Sequence, residues 1–153
     1  MVRLLLEHGA NVSAHGGRYG NALQAAASSG HEAITRLLLE CGADVNVQGG
    51  QYGNALQAAA RMDHETVMQL LLDYGADINS QGVDGSALQA AASGGHEAAV
   101  RLLLEHGADV NAEGGKHGNA LQAATSRGHE EVVRLLLRNG AKEDGNNKVN
   151  PNS

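Results

Sequence analysis

The chain has 153 residues, of which 42% are hydrophobic and only 2% aromatic, and its formal net charge is −6. This composition suits one folded domain with a core of Leu, Val, Ile and Ala, and it excludes a disordered chain. The acidic balance argues against nucleic acid as a direct partner, because such proteins carry clustered Lys and Arg. Apolar runs span only a few residues, far below the roughly 20 that cross a bilayer, so we expect no membrane partner either.

The sequence repeats itself along its length. The motif Leu-Leu-Leu-x-x-Gly-Ala recurs with its Gly at positions 9, 42, 75, 107 and 140, in steps of 33, 33, 32 and 33 residues. A second motif, Ala-Leu-Gln-Ala-Ala, recurs with its Gln at 24, 57, 89 and 122. Two independent motifs with one spacing indicate a stack of structural repeats.

Each repeat predicts two helices followed by a loop. The first helix is short and Ala-rich, opens at Asn or Ser as N-cap, and has Gln three residues later, as in a capping box. Its four predicted starts are Asn21, Asn54, Ser86 and Asn119, and its predicted ends lie near Gly30, Asp63, Gly95 and Gly128. The second helix begins at a recurring His-Glu pair (31–32, 64–65, 96–97 and 129–130) and stops at the repeated Gly, as a C′ residue with positive φ. The Gly- and Asn-rich loop that follows is expected to project as a hairpin-like finger.

Two irregularities interrupt the period. Asp63 occupies a place that is Gly in the other three full repeats, and Asp tolerates a positive φ at a small cost. The 32-residue unit lacks one residue between Asn79 and Ser86, which predicts one shorter finger. Gly pairs such as Gly49-Gly50 stand in the fingers, and we expect these loops to be less rigid than loops with other residues there.

These motifs resemble a known family. Gly-His-Glu-x-x-x-x-Leu-Leu-Leu-x-x-Gly-Ala-Asp-Val-Asn is similar to the second half of the ankyrin repeat. Asn-Ala-Leu-Gln-Ala-Ala resembles its Thr-Pro-Leu-His-x-Ala first half, with Ala in place of Pro and Gln in place of His. The resemblance covers residues 1 to about 144 and implies an all-α solenoid of helix-turn-helix units with projecting fingers. The Gly-Asn-Ala-Leu-Gln-Ala-Ala variant resembles arrays in large fungal signalling proteins.

The alignment of the repeats predicts the domain organisation. We expect a half repeat at 1–17, full repeats at about 18–50, 51–82, 83–115 and 116–144, and a disordered polar tail at 145–153. Met1 aligns with Ile34, in the middle of a second helix, so we expect the chain to be a fragment or a truncated copy of a longer repeat protein.

The sequence predicts no catalytic, cofactor-binding or metal-binding residues. The recurring His of the His-Glu pairs are too far apart to share one ion, and no pair is followed by the second His of a zinc-protease helix. The Asp44-Val45-Asn46 triplet and its two later copies lack the remaining ligands of a calcium loop, so we assign them to turns. Nothing marks Cys41 as a nucleophile. We therefore expect that the protein is not an enzyme.

Positions that vary between repeats point to a binding surface. Fixed positions such as Leu38, Leu71, Leu103 and Leu136 read as core, whereas finger tips and the ends of the first helices vary. In ankyrin-like stacks these two regions line one concave face, which implies a protein partner there. The predicted protein-binding residues are Arg18, Tyr19, Gln51, Tyr52, Arg61, Met62, Val83, Asp84, Lys116, His117 and Arg127. Tyr and Arg are enriched at interface hot spots, and Met adapts to apolar surfaces.

Two functions remain open from the sequence. The first is a non-catalytic protein–protein interaction module or scaffold, which we expect to be monomeric and intracellular, in the cytoplasm or nucleus. The lone Cys41 fits such a reducing compartment. The alternative is a structural or remnant fragment of a larger fungal signalling protein of the nucleotide-binding receptor type, with no binding of its own.

Overall fold

The computed structural model describes residues 20–82 and 84–142, and this part of the chain forms eight α-helices. The four first helices are α1 (Ala22–Ser29), α3 (Ala55–Arg61), α5 (Ala87–Gly94) and α7 (Ala120–Ser126). The four second helices are α2 (Glu32–Glu40), α4 (Glu65–Asp73), α6 (Glu97–Glu105) and α8 (Glu130–Arg138). First helices stack on first helices and second on second, while each pair packs within itself. The predicted all-α repeat solenoid is confirmed.

Each first helix starts with a complete capping box. At α3 the Gln57 N–H donates to Asn54 Oδ1 at 2.8 Å, and the Asn54 N–H donates to Gln57 Oε1 at 2.9 Å. Reciprocal bonds of the same kind occur at α1, α5 and α7. They satisfy two backbone N–H groups at the helix start, so the predicted capping boxes are confirmed.

Each second helix starts and stops at the residues that the sequence predicted. Its N-cap is the recurring His, which makes no side-chain capping bond, and Glu opens the first turn. The repeated Gly follows the helix with φ between +86° and +92°. At the end of α4, Ala76 N–H donates to Leu71 O and Gly75 N–H to Leu72 O, each at 3.0 Å, which is the Schellman arrangement. A side chain at this Gly would strain the backbone.

The core lies between the two helix layers and is built from Ala and Leu. Leu38, Leu71, Leu103 and Leu136 are at most 1% exposed, which confirms their predicted place in the core. The Ala residues of α3 and α5 are also buried, and their small side chains allow neighbouring first helices to approach closely.

The loops after the second helices form short hairpin-like fingers. Antiparallel bridges join Gly49 to Gly53 and Gly114 to Gly118, and the shorter finger is closed by a bridge between Gly82 and Gly85. The predicted shortening is thus confirmed, because this bridge encloses two residues where the other two enclose three. Asp63 has φ +60°, which confirms that its place requires the left-handed region.

Candidate functional site: the finger face

In three of the four capping boxes, the Gln also fixes the next finger. Gln57 Nε2 donates to Ser80 O at 2.7 Å and to Gly85 O at 2.9 Å, while its Oε1 stays in the capping box. Gln24 and Gln89 make the equivalent bonds to three carbonyls each. One side chain therefore sets both the start of a first helix and the base of the finger beside it.

The Asp-x-Asn triplets, which lie at the start of the loops after the second helices, link each of these loops to the next. Asp44 Oδ1 accepts from the Asn46 N–H at 2.9 Å, which closes a local turn. Asn46 Oδ1 then accepts from the Asp77 N–H at 2.7 Å, one repeat further on, and Asn79 Oδ1 accepts from the Asp109 N–H at 2.8 Å. The predicted turn-stabilising role is confirmed, and it extends into a ladder between repeats.

Three of the four recurring His residues, His64, His96 and His129, join a helix pair to the preceding one. Nε2 of His64 lies 3.0 Å from Ser28 O, and Nε2 of His129 lies 3.0 Å from Ser93 O. A carbonyl only accepts, so Nε2 carries the proton and donates. Ser28 and Ser93 are 6% exposed. Our interpretation of variable positions as surface was wrong for these two serines, because their carbonyls lie under the ring of the next repeat.

The same junction differs where Asp63 replaces Gly. His96 Nε2 donates to Arg61 O at 2.9 Å, and His96 Nδ1 lies 3.7 Å from Asp63 Oδ2. At Gly30 an added Cβ would lie 2.7 Å from His64 Nδ1, so a side chain there would require the His64 ring to shift. All three rings act in the structure as links between repeats.

We call the surface formed by the first helices, the residue after each of them and the finger tips the finger face. Arg61 and Met62 close α3, Arg127 follows α7, and the other predicted residues are at finger tips. Met62, Lys116 and Arg127 are exposed, whereas Gln51, Tyr52, Arg61, Asp84 and His117 are partly buried. The predicted residues Arg18, Tyr19 and Val83 lie outside the described residues.

Three of the predicted residues, from three successive units, meet at Asp84. Its Oδ2 lies 2.9 Å from Arg61 Nη1, and its Oδ1 lies 3.6 Å from Lys116 Nζ. The Asp84 side chain is 18% exposed, and that of Lys116 is 66% exposed. This cluster was not predicted from the sequence, although opposite charges at variable positions of successive units indicate it. The contacts place the end of a first helix beside the tip of the finger that follows it.

The described residues contain neither a membrane-spanning helix nor a candidate metal site. None of their helices has the length and apolar character needed to cross a membrane. Within the same ranges, no group of three or more His, Cys, Asp or Glu is placed to hold a metal ion. Cys41 is an exposed free thiol at the end of α2.

Helix pairs stacked in two layers, with a finger between pairs, define a helical-repeat solenoid protein. The family model for ankyrin repeats, in three copies, matches residues 1–82 and again residues 80–148. The chain belongs to the ankyrin-repeat family. Ankyrin repeats are generally protein–protein interaction modules, and the family is typically non-enzymatic. No curated protein matches the chain at a significant level.

Proposed function

We propose that this chain is a non-catalytic protein-interaction module that binds a protein partner on its finger face. The observation that carries the proposal is the separation of fixed and variable positions. Fixed positions bond one repeat to the next, through Gln, His and Asn side chains that reach backbone atoms. The variable side chains gather at the finger tips and first-helix ends, where Met62 is 45% exposed.

The content of this surface suits a protein partner. Tyr52, Arg61 and Met62 combine an aromatic ring, a guanidinium group and a flexible apolar side chain, which are residue types enriched in interface hot spots or adaptable surfaces. Arg61 and Asp84 hold each other at 2.9 Å, so part of the surface is ordered before a partner arrives.

The test compares two triple variants of matched chemistry. Tyr52→Ala/Arg61→Ala/Met62→Ala alters the finger face, and Tyr74→Ala/Arg101→Ala/Leu137→Ala alters exposed positions at or within second helices. Partners are captured from a cell extract, then purified and titrated against each variant. We expect the first variant to weaken binding about 100-fold, because truncating three contributing interface residues at about 1 kcal/mol each costs about 3 kcal/mol. The second should bind like the unaltered chain.

The outcomes also decide between this proposal and a purely structural role. Equal weakening by both variants, or by the second alone, would contradict the finger face as the binding surface. A chain that binds no purified partner directly would instead support the alternative, a spacer or remnant of a larger fungal signalling protein. Circular dichroism melting of both variants checks that each remains folded.

Two further properties belong to the same proposal. We propose an intracellular protein, in the cytoplasm or nucleus, since its single thiol at Cys41 is exposed and fits a reducing compartment. We also propose that it is a monomer without nucleic-acid or membrane partners. Fractionation of cells with an antibody to the chain tests the location. Light scattering of the purified protein tests the monomer.

A further inference from the structure

Charge is distributed unevenly between the two sides of the solenoid. Over the whole chain, 17 Asp and Glu outnumber 11 Lys and Arg. The finger face reverses this balance, because its described charged residues are Arg61, Asp84, Lys116 and Arg127. The second helices carry twice as many acidic as basic residues, and their acidic residues are Glu32, Glu40, Glu65, Asp73, Glu97, Glu105, Glu130 and Glu131. Among the described residues, the finger face thus carries more cations than anions, whereas the second helices carry more anions than cations.

Among the described residues of the finger face, the one carboxylate, that of Asp84, lies between two cations. Asp84 lies 2.9 Å from Arg61 Nη1 and 3.6 Å from Lys116 Nζ. Arg61 is 39% exposed and Lys116 is 66% exposed, so both cations remain open to a second carboxylate. A carboxylate thus fits between these two cations, and an acidic group from outside would compete with Asp84 for them.

We propose that the finger face recognises an extended acidic segment of a protein partner, with Arg61, Lys116 and Arg127 pairing its carboxylates. This inference rests on the proposed function and names the chemistry of its partner. Met62 and Tyr52 lie on the same face and suit apolar side chains between the acidic ones. Complementary charge selects the partner and accelerates its association, whereas the apolar contacts add affinity.

The geometry sets the length of that segment. Neighbouring first helices pack about 8–10 Å apart, so Arg61 on α3 and Arg127 after α7 are roughly 20 Å apart along the stack. An extended chain rises about 3.3 Å per residue, so a segment of at least about six residues reaches both cations. Nucleic acid fits this face less well, because its described part has three cations and one carboxylate, whereas proteins that bind DNA neutralise several phosphates with Lys and Arg.

The test selects peptides from a displayed library of random 12-residue sequences on the immobilised full chain. Enriched peptides are then titrated by fluorescence anisotropy. We expect the enriched peptides to be net acidic. They should bind the double variant Arg61→Gln/Lys116→Gln roughly tenfold more weakly than the unaltered chain, and the single variant Arg127→Gln likewise, because charge-assisted pairs are lost. Asp84→Asn should bind them roughly threefold more tightly, because it removes the competing carboxylate. The matched control, Arg101→Gln/Arg134→Gln on the second helices, should leave binding unchanged.

The other possible outcomes contradict the acidic partner, the finger face as the binding surface, or the role of Asp84. Enriched peptides that are not acidic, but lose binding to Tyr52→Ala/Met62→Ala, overturn the acidic partner and leave the proposed function standing. Peptides insensitive to every finger-face variant, or no enrichment at all, overturn both. If a 20-nucleotide single-stranded oligonucleotide binds more tightly than the acidic peptides, the ligand of the finger face is nucleic acid and not an acidic protein segment. Weaker binding by Asp84→Asn would overturn the role of Asp84 as a competitor for Arg61 and Lys116.

Discussion

The contacts between successive repeats are conserved along the chain, whereas the finger face varies. We call these contacts the seams; they are the bonds between the recurring Gln, His and Asn side chains and backbone atoms of a neighbouring repeat. At the seams, one residue type recurs and makes the same bond each time, such as His64 and His129 donating to the carbonyl of a preceding Ser. On the finger face, equivalent places hold Tyr52 in one unit and His117 in another. The seam bonds end on backbone atoms, which every residue supplies. The stack therefore keeps its geometry while its finger face varies.

The largest expected effect comes from the core beneath both regions. Leu103 is fully buried, so Leu103→Ala should lower the free energy of unfolding by about 2–5 kcal/mol, through lost burial and a cavity. The control is Leu137→Ala, at a leucine that is 40% exposed, which should cost less than about 1 kcal/mol. Urea denaturation measures both. Equal losses would mean that the second helices are not packed as described.

The next effect tests the seam. Gln57→Ala removes the acceptor for Asn54 N–H and the donor for Ser80 O and Gly85 O. Leaving buried backbone groups unpaired should cost about 1–3 kcal/mol. Gln69→Ala is the matched control, since that Gln is only partly buried and its contacts, with Asp73 and with His106, are to exposed side chains and not to buried backbone groups. A Gln57→Ala variant as stable as the control would contradict the seam role.

A smaller effect isolates one contact between repeats. Gly95 and Gly128 have φ of +72° and +75°, so Ala strains the backbone equally at both. A Cβ at Gly95 would lie 2.6 Å from His129 Nδ1, whereas a Cβ at Gly128 meets nothing within 4 Å. We expect Gly95→Ala to be less stable than Gly128→Ala by about 1 kcal/mol, in line with the cost of overpacking. Thermal melting compares them, and a reversed order would contradict the ring contact.

The smallest effects should come from the finger face. Met62→Ala and Arg127→Ala alter exposed positions, so each should change the free energy of unfolding by no more than about 0.5 kcal/mol. Urea denaturation again measures them. A loss comparable to that of Gln57→Ala would mean that these residues hold the stack together, and the contrast between seam and face would disappear.

Local features of the fold were predictable from the sequence, and contacts between repeats were not. The capping box of Asn54 and Gln57 and the positive φ of Asp63 depend on a few neighbouring residues. The bond from Gln57 to Gly85 spans 28 residues, and that from His64 to Ser28 spans 36. Their partners are set by how one helix pair packs on the next, which the repeat period does not specify.

The candidate site was predictable to a similar extent. Variation between repeats identified exposed positions such as Met62 and Arg127, but it also included Ser28, which is buried. Sequence variation reports which side chain is free to change, while the backbone of the same residue can still be covered. The ion pair of Arg61 with Asp84 depends on the register between α3 and the next finger, which only the structure supplies.

The central claim, that the variable finger face binds while the seams hold the stack, is tested most directly by hydrogen–deuterium exchange. The full chain is labelled with and without a saturating acidic peptide from the library. We predict slower exchange at the finger tips 51–52 and 115–117 and at the first-helix ends 61–62 and 126–127, with α4 and α6 unchanged. Protection confined to the second helices, or no protection at a saturating concentration, would contradict the account.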